Sequence, residues 1–168
     1  MSFWKPSSLR EKLIVTNSNS EKVSWSEVEL LIKTLSEKII SMPRKFSSIS
    51  TISRGGLVPS RLLADHLGFD TILVDQKKIS SDSIFVDDIY DSGNTFKKII
   101  NKVDQPSDLV YVTLFARRGK RYPKQLIYAK KTKNNSYVVY PWDKLEYKRL
   151  KNYSMWTSAW NNVRTLQK

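Results

Sequence analysis

Three carboxylates and a run of small polar residues crowd into one short stretch, Asp87-Asp88-Ile89-Tyr90-Asp91-Ser92-Gly93-Asn94-Thr95. Small residues let a backbone curl so that successive N–H groups point into one hollow. A helix beginning just after them adds positive potential, and together these make a cradle for a phosphate. The hydroxyls of Ser92 and Thr95 can donate to the same anion. Carboxylates beside an anion repel it unless something stands between them. Sugar hydroxyls and a divalent cation both serve, because carboxylates accept from hydroxyls and bind Mg²⁺ directly or through its waters. An acidic turn that caps a helix and holds no ligand is the plainer alternative. The Asp-Asp-x-x-Asp metal motif of isoprenoid synthases is another, but it lies on a helix. Here Ile84-Phe85-Val86 is strand-like and Gly93-Asn94 interrupts any helix.

Such a loop needs a scaffold that delivers it to an edge. Ser83–Val86 reads as a strand running into the acidic loop, Phe96–Val103 as a helix and Leu109–Phe115 as the next strand. A similar unit precedes it. Ser48–Ser53 is short and β-branched, Arg54-Gly55-Gly56 breaks the pattern, and Leu57–Leu67 resumes at helical spacing, with Pro59 near its start and Gly68 in the stop position. Thr71–Val74 is a brief strand. Upstream, Ser24-Trp25-Ser26-Glu27 is a capping box, followed by Val28, Leu31, Ile32, Leu35 and Ile39 on one helical face that ends before Pro43. The alternation predicts an α/β fold, a mostly parallel sheet covered by helices on both faces. In such sheets ligands bind beyond the carboxyl ends of the strands, where both glycine-containing loops fall. Past Ala116 the rhythm changes. Leu126–Ala129 and Tyr137–Tyr140 read as short strands, and the stretch from Asp143 is basic, aromatic and partly helical in pattern.

At 168 residues, with 40% hydrophobic side chains, the chain suits a single folded domain with a real core. The absence of Cys excludes a disulfide scaffold, a thiolate nucleophile and cysteine zinc sites, and His66 is the sole histidine, best read as a helix-surface residue. No apolar run is long enough to span a membrane and the N-terminus lacks a secretory core, so a cytoplasmic location is expected. The net charge of +13 is lopsided. Residues 1–116 carry 15 basic and 14 acidic side chains, whereas residues 117–168 carry 14 basic and 2 acidic. That basic end is either a solvated face or, with its interleaved Tyr and Trp, a surface for RNA or single-stranded DNA.

Ile84–Thr95 resembles the phosphoribosyl-pyrophosphate (PRPP) binding motif of type I phosphoribosyltransferases. Ile52-Ser53-Arg54-Gly55-Gly56-Leu57-Val58-Pro59 resembles their pyrophosphate loop, closest to the bacterial xanthine-guanine branch. Val112–Arg117 and Tyr137–Asp143 fall in order where that branch keeps its purine-site segments. The resemblance covers about residues 23–143 and leaves 1–22 and 144–168 as extensions, a possible hood or interface. It implies a type I phosphoribosyltransferase fold with a small hood from the terminal segments, and a role in purine salvage. The implied reaction converts PRPP and a guanine-, xanthine- or hypoxanthine-like base into a nucleoside monophosphate and pyrophosphate, with Mg²⁺ as cofactor.

Residue by residue, the resemblance implies that Asp87 and Asp88 hold the ribose hydroxyls and that both contribute to the metal site, Asp88 foremost. It implies that Asp91, Ser92, Gly93, Asn94 and Thr95 hold the 5′-phosphate and that Asp91 also manages the proton at purine N7. Arg54 and the backbone of Gly55 would hold the pyrophosphate, in a loop where relatives often carry a non-proline cis peptide. Arg117 stands where the branch has a lysine that contacts purine O6, and it is not an equivalent group. Tyr137 takes the place of a base-stacking aromatic, and the backbone of Val138 could read the purine 2-position. On its own, Arg54-Gly55-Gly56 is also an ordinary strand-to-helix turn, and Tyr137 also fits edge packing. The main departure lies between Asp75 and Ile84, where relatives have a long loop that closes over PRPP. Here only Gln76-Lys77-Lys78-Ile79-Ser80-Ser81-Asp82-Ser83 is present. Either Lys77 and Lys78 or an extension replaces the lid, or the chain is a catalytically weak nucleotide-sensing or RNA-binding regulator. Relatives are commonly dimers or tetramers, so a homo-oligomer is expected.

Overall fold

The computed structural model describes residues 20–149, which fall into two compact units. One holds the described parts of both ends, residues 20–24 and 136–149; the other spans residues 25–135.

In the terminal unit, β1 (Glu21–Lys22) pairs in parallel with β7 (Val138–Val139), and the amide N–H of Glu21 donates to the Tyr137 carbonyl at 2.9 Å. Tyr137 stacks on Tyr147 with ring centroids 5.7 Å apart, and Tyr140 stacks on Trp142 at 4.8 Å. Residues 144–149 are helical, which begins to bear out the pattern seen from Asp143. Tyr153, Trp156 and Trp160 lie outside the described residues, as does most of the polar N-terminal stretch.

The larger unit is built on a five-stranded, all-parallel sheet in the order β3-β2-β4-β5-β6, formed by β2 (Ser48–Thr51), β3 (Ile72–Val74), β4 (Ser83–Tyr90), β5 (Val110–Ala116) and β6 (Leu126–Lys131). Helix α1 (Trp25–Ile40) buries the predicted stripe Val28, Leu31, Ile32, Leu35 and Ile39. Its ends are matched to the macrodipole, with Glu27 in the first turn and Lys38 in the last. Both also reach β6: Lys130 pairs with Glu27 at 2.7 Å, and Lys38 donates to the Tyr128 carbonyl at 2.6 Å. Helix α2 (Leu57–Leu67) stops at Gly68, whose φ of 72° is the left-handed cap expected there.

Helix α3 (Asn94–Ile100) is short and sits on the opposite face from α1 and α2. Its Phe96 and Ile99 pack with Phe85 of β4 and Tyr111 of β5, and strand alternation sends Ile84, Val86, Val112 and Leu114 to the other side. The helix begins at Asn94, two residues before the sequence pattern predicts, and ends at Ile100, with Val103 outside it and bridging Ile79. β4 is longer than expected. Its ladder with β5 runs on through Asp87 opposite Thr113 to Tyr90 opposite Ala116, so two of the three acids lie on a strand instead of a loop.

A parallel pair normally needs a helical crossover. β5 and β6 have only residues 117–125 between them, without a helix. Tyr122 fills the helix's place, its ring against Tyr90 and Tyr128 and its hydroxyl donating to the Arg117 carbonyl at 2.8 Å.

Candidate functional site

From β2 the chain crosses through α2 to β3 on one side; from β4 it crosses through α3 to β5 on the other. The direction of winding therefore reverses between β2 and β4, and the crevice at their carboxyl ends is the natural ligand position of such a sheet. The Arg54–Gly56 turn leaves β2 there, and Asp87 and Asp88 end β4 beside it.

The two meet closely. A Cβ placed on Gly55 would lie 3.0 Å from Asp88 Oδ1 and 3.1 Å from Asp87 Oδ1, so only a bare backbone passes over the acid pair without displacing it. At Gly56 the constraint is absolute, since a Cβ would fall 2.0 Å from Thr51 Oγ1 and 2.5 Å from the Val86 carbonyl. Thr51 Oγ1 itself donates to that carbonyl at 2.8 Å, which stitches β2 to β4 under the turn. Arg54 adopts φ 76°, and the cis peptide that relatives often carry in this loop is not found among the described residues.

Asp87 is buried, with 4% of its surface exposed. Tyr111 donates its hydroxyl to Asp87 Oδ2 at 2.9 Å, and the Asp88 amide donates to Oδ1 at 2.9 Å. Burial pushes its carboxyl above the usual carboxylate range, with those donors pulling the other way; the same burial and the neighbouring acid push the Tyr111 phenol up. Asp88 is only half-buried, and its Oδ1 accepts from the Ile89 amide at 2.7 Å.

Asp91 begins the turn into α3 and meets a cation. Arg117 Nε lies 2.8 Å from Oδ1 and Nη2 lies 3.3 Å from Oδ2, a forked contact with the arginine buried and the carboxylate largely exposed. The arginine is held from its backbone too, since its amide donates to the Tyr90 carbonyl at 2.8 Å. The turn closes through Gly93 at φ 81°, and the Asn94 amide donates to Ser92 Oγ at 3.3 Å. Thr95 lies in the first turn of α3.

The sheet edge thus gathers Arg54, Gly55, Asp87, Asp88, the Asp91–Thr95 turn and Arg117 within one unit. Tyr137 and Val138 belong to the terminal unit, where Tyr137 is stacked on Tyr147. His66 is exposed on α2. Among the described residues no three His, Asp or Glu side chains cluster as a self-sufficient metal site. The acid pair nevertheless suits Mg²⁺, which keeps waters and ligand oxygens around one or two carboxylates. Among the described residues no helix is long and apolar enough to cross a membrane.

Two residues that hold the site's side chains or turn escaped the sequence reading. Tyr111 looks like one more core aromatic in Val110–Ala116, and nothing local marks its hydroxyl as a carboxylate donor. Asp75 was more accessible to inference: it follows β3 directly, at the carboxyl edge where ligand-facing residues collect. The short segment after Asp75 is also fastened down. Ile79 bridges Val103, and the Ser81 amide donates to Asp104 Oδ1 at 2.7 Å. Lys77 and Lys78 are exposed on it.

No protein-family model matches the chain. It is 28% identical over 139 residues to the xanthine-guanine phosphoribosyltransferase of Chromohalobacter salexigens, covering 72% of this chain and 82% of that protein. Among solved structures, the purine phosphoribosyltransferase of Pyrococcus horikoshii superposes with a TM-score of 0.59 at 24% identity, over 74% of this chain and 94% of that one. The Helicobacter pylori xanthine-guanine-hypoxanthine phosphoribosyltransferase superposes at 0.64 and 17% identity, over 80% and 98%. With the strand order, the reversal between β2 and β4 and the two loops that meet there, these likenesses identify the chain as having the type I phosphoribosyltransferase fold, similar in sequence to the bacterial xanthine-guanine branch.

Proposed function

We propose that the chain transfers the phosphoribosyl group of PRPP to a purine-type base, releasing pyrophosphate. The observation that carries this reading is the contact of the Gly55 backbone with Asp87 and Asp88 at the β2/β4 reversal, 3.0 to 3.2 Å from an added Cβ. It sets an anion-binding turn directly against a pair of hydroxyl acceptors, which is what a pyrophosphorylated sugar requires.

Asp88, half-buried, accepts from the ribose hydroxyls, and Asp87 backs it with whatever lone pairs Tyr111 and the Asp88 amide leave open. The Asp91–Thr95 turn holds the 5′-phosphate through its backbone N–H groups and the Ser92 and Thr95 hydroxyls. Arg54 and the Gly55 backbone hold the pyrophosphate. Its charge grows as the bond to C1 of the ribose breaks, so these donors act most strongly in the transition state. The base nitrogen attacks C1 as pyrophosphate leaves, and Asp91 accepts the proton that the purine sheds at N7. Arg117 fixes the Asp91 carboxylate by the fork at 2.8 and 3.3 Å and balances its charge beside the phosphate turn. Within this unit Arg117 is the candidate for reading the base; Tyr137 and Val138 belong to the terminal unit. Asp88, with Asp87 behind it, would hold Mg²⁺, which when bound offsets the charge of the pyrophosphate.

PRPP-dependent conversion of guanine, xanthine and hypoxanthine tests the proposal, with Asp91→Asn as control. Turnover of at least one base well above that control is expected. Equal, background-level rates with all three bases would overturn it.

A further inference from the structure

We infer that Asp75, directly after β3, is a positioning residue for the pyrophosphate-binding turn. The inference rests on the phosphoribosyl-transfer reading above.

Among the described residues, only two that are not glycine have φ in the left-handed region, Arg54 at 76° and Asp75 at 52°. They are twenty-one positions apart in the chain and nearly joined in space. The Ser53 amide donates to Asp75 Oδ1 at 2.9 Å, and the Asp75 amide donates to the Thr51 carbonyl at 3.0 Å. Asp75 therefore holds β2 by its own backbone and the following turn by its side chain. A left-handed arginine is strained and persists only where its surroundings over-determine it. The bond to Ser53 enters the turn one residue before Arg54 and two before Gly55, whose backbone runs over Asp87 and Asp88.

A carboxylate this near a pyrophosphate site is an odd choice, because its charge opposes the ligand. Here it is committed to the loop: hydrogen bonds from Ser53 hold its carboxyl below the usual range. What the turn needs is an acceptor at that point, and the negative charge is incidental. The neighbouring segment is itself fastened, with Ile79 laddered to Val103 and Ser81 tied to Asp104. A turn set in advance lowers the ordering cost that a mobile lid would meet on binding.

The test is steady-state kinetics of Asp75→Ala and Asp75→Asn with PRPP and a base that the unaltered protein accepts, together with equilibrium binding of PRPP. Asp75→Ala is expected to raise the KM and Kd for PRPP by up to about tenfold, the weight of one hydrogen bond. The KM for the base stays within twofold. Asp75→Asn, which keeps a side-chain oxygen, stays near the unaltered protein or binds PRPP more tightly. An unchanged PRPP Kd in Asp75→Ala, or equal losses in both variants, would overturn the inference while leaving the phosphoribosyl reading intact. If the unaltered protein neither binds nor turns over PRPP, both fall together.

Discussion

Asp87 and Asp91 are four residues apart on one strand-to-helix passage, yet they live in opposite surroundings. Asp87 is buried and takes only neutral donors, a tyrosine hydroxyl and a backbone amide. Asp91 is 57% exposed at its side chain and faces the full charge of Arg117. A buried carboxylate without a cation is costly to ionise, and its value lies in geometry. An exposed carboxylate steered by a fixed arginine can meet a ligand and exchange a proton with it. One short stretch thus separates an acid that shapes the site from an acid that can do chemistry in it.

The largest expected effect breaks the exposed side of that contrast. Asp91→Asn should lower kcat by about 100-fold or more, the usual worth of a general acid-base group. The asparagine oxygen still accepts from Arg117 Nε, so thermal melting should hardly move. A loss of activity matched by a loss of fold would mean that the pair serves structure instead. Asp87→Asn should behave in the reverse way, losing activity by about tenfold but gaining on the order of 1 kcal/mol of stability at neutral pH, because the ionisation of a buried acid is removed. Chemical denaturation measures it, and a clear destabilisation would refute the assignment. Tyr111→Phe comes next. It takes the donor from Asp87 Oδ2 and should cost about 1 to 3 kcal/mol. Combined with Asp87→Asn the two effects should not add, since the residues share one hydrogen bond.

Much of this was legible beforehand, and unevenly. The helices were readable because burial on one face imprints a period on the sequence, as Val28 to Ile39 and the Gly68 stop do. The acidic loop and the Arg54 turn were readable because their chemistry needs residue types that a core would not contain. Strand ends were not. β4 continues through Asp87 to Tyr90 because β5 offers backbone partners as far as Ala116, a fact of pairing that no local pattern records. Tyr111 and Asp75 act across strands, so their meaning depends on which strand lies next to which. The fork of Arg117 onto Asp91 joins residues twenty-six positions apart for the same reason.

The smallest effect sharpens the contrast by its sign. Asp104 is a third kind of carboxylate, at the surface but accepting from the Ser81 and Gln105 amides, each at 2.7 Å. Those bonds, the Ser81 amide first, hold its carboxyl below the usual range. A lowered value means that the folded state favours the ionised form. The stabilisation is therefore present above the unfolded value near 3.9 and disappears as pH falls through the lower folded value. Asp87, raised by burial, has the opposite slope: its contribution is most favourable at low pH, where it is protonated, and fades as pH rises through its folded value. Melting temperature followed from about pH 2 to 7 separates the two. Asp104→Asn should flatten the acid side of the profile by a small amount, through the bond that fastens the segment after β3. Asp87→Asn should lift the neutral side instead. If both substitutions bent the same limb, the division between an acid held for its charge and an acid held despite it would not stand.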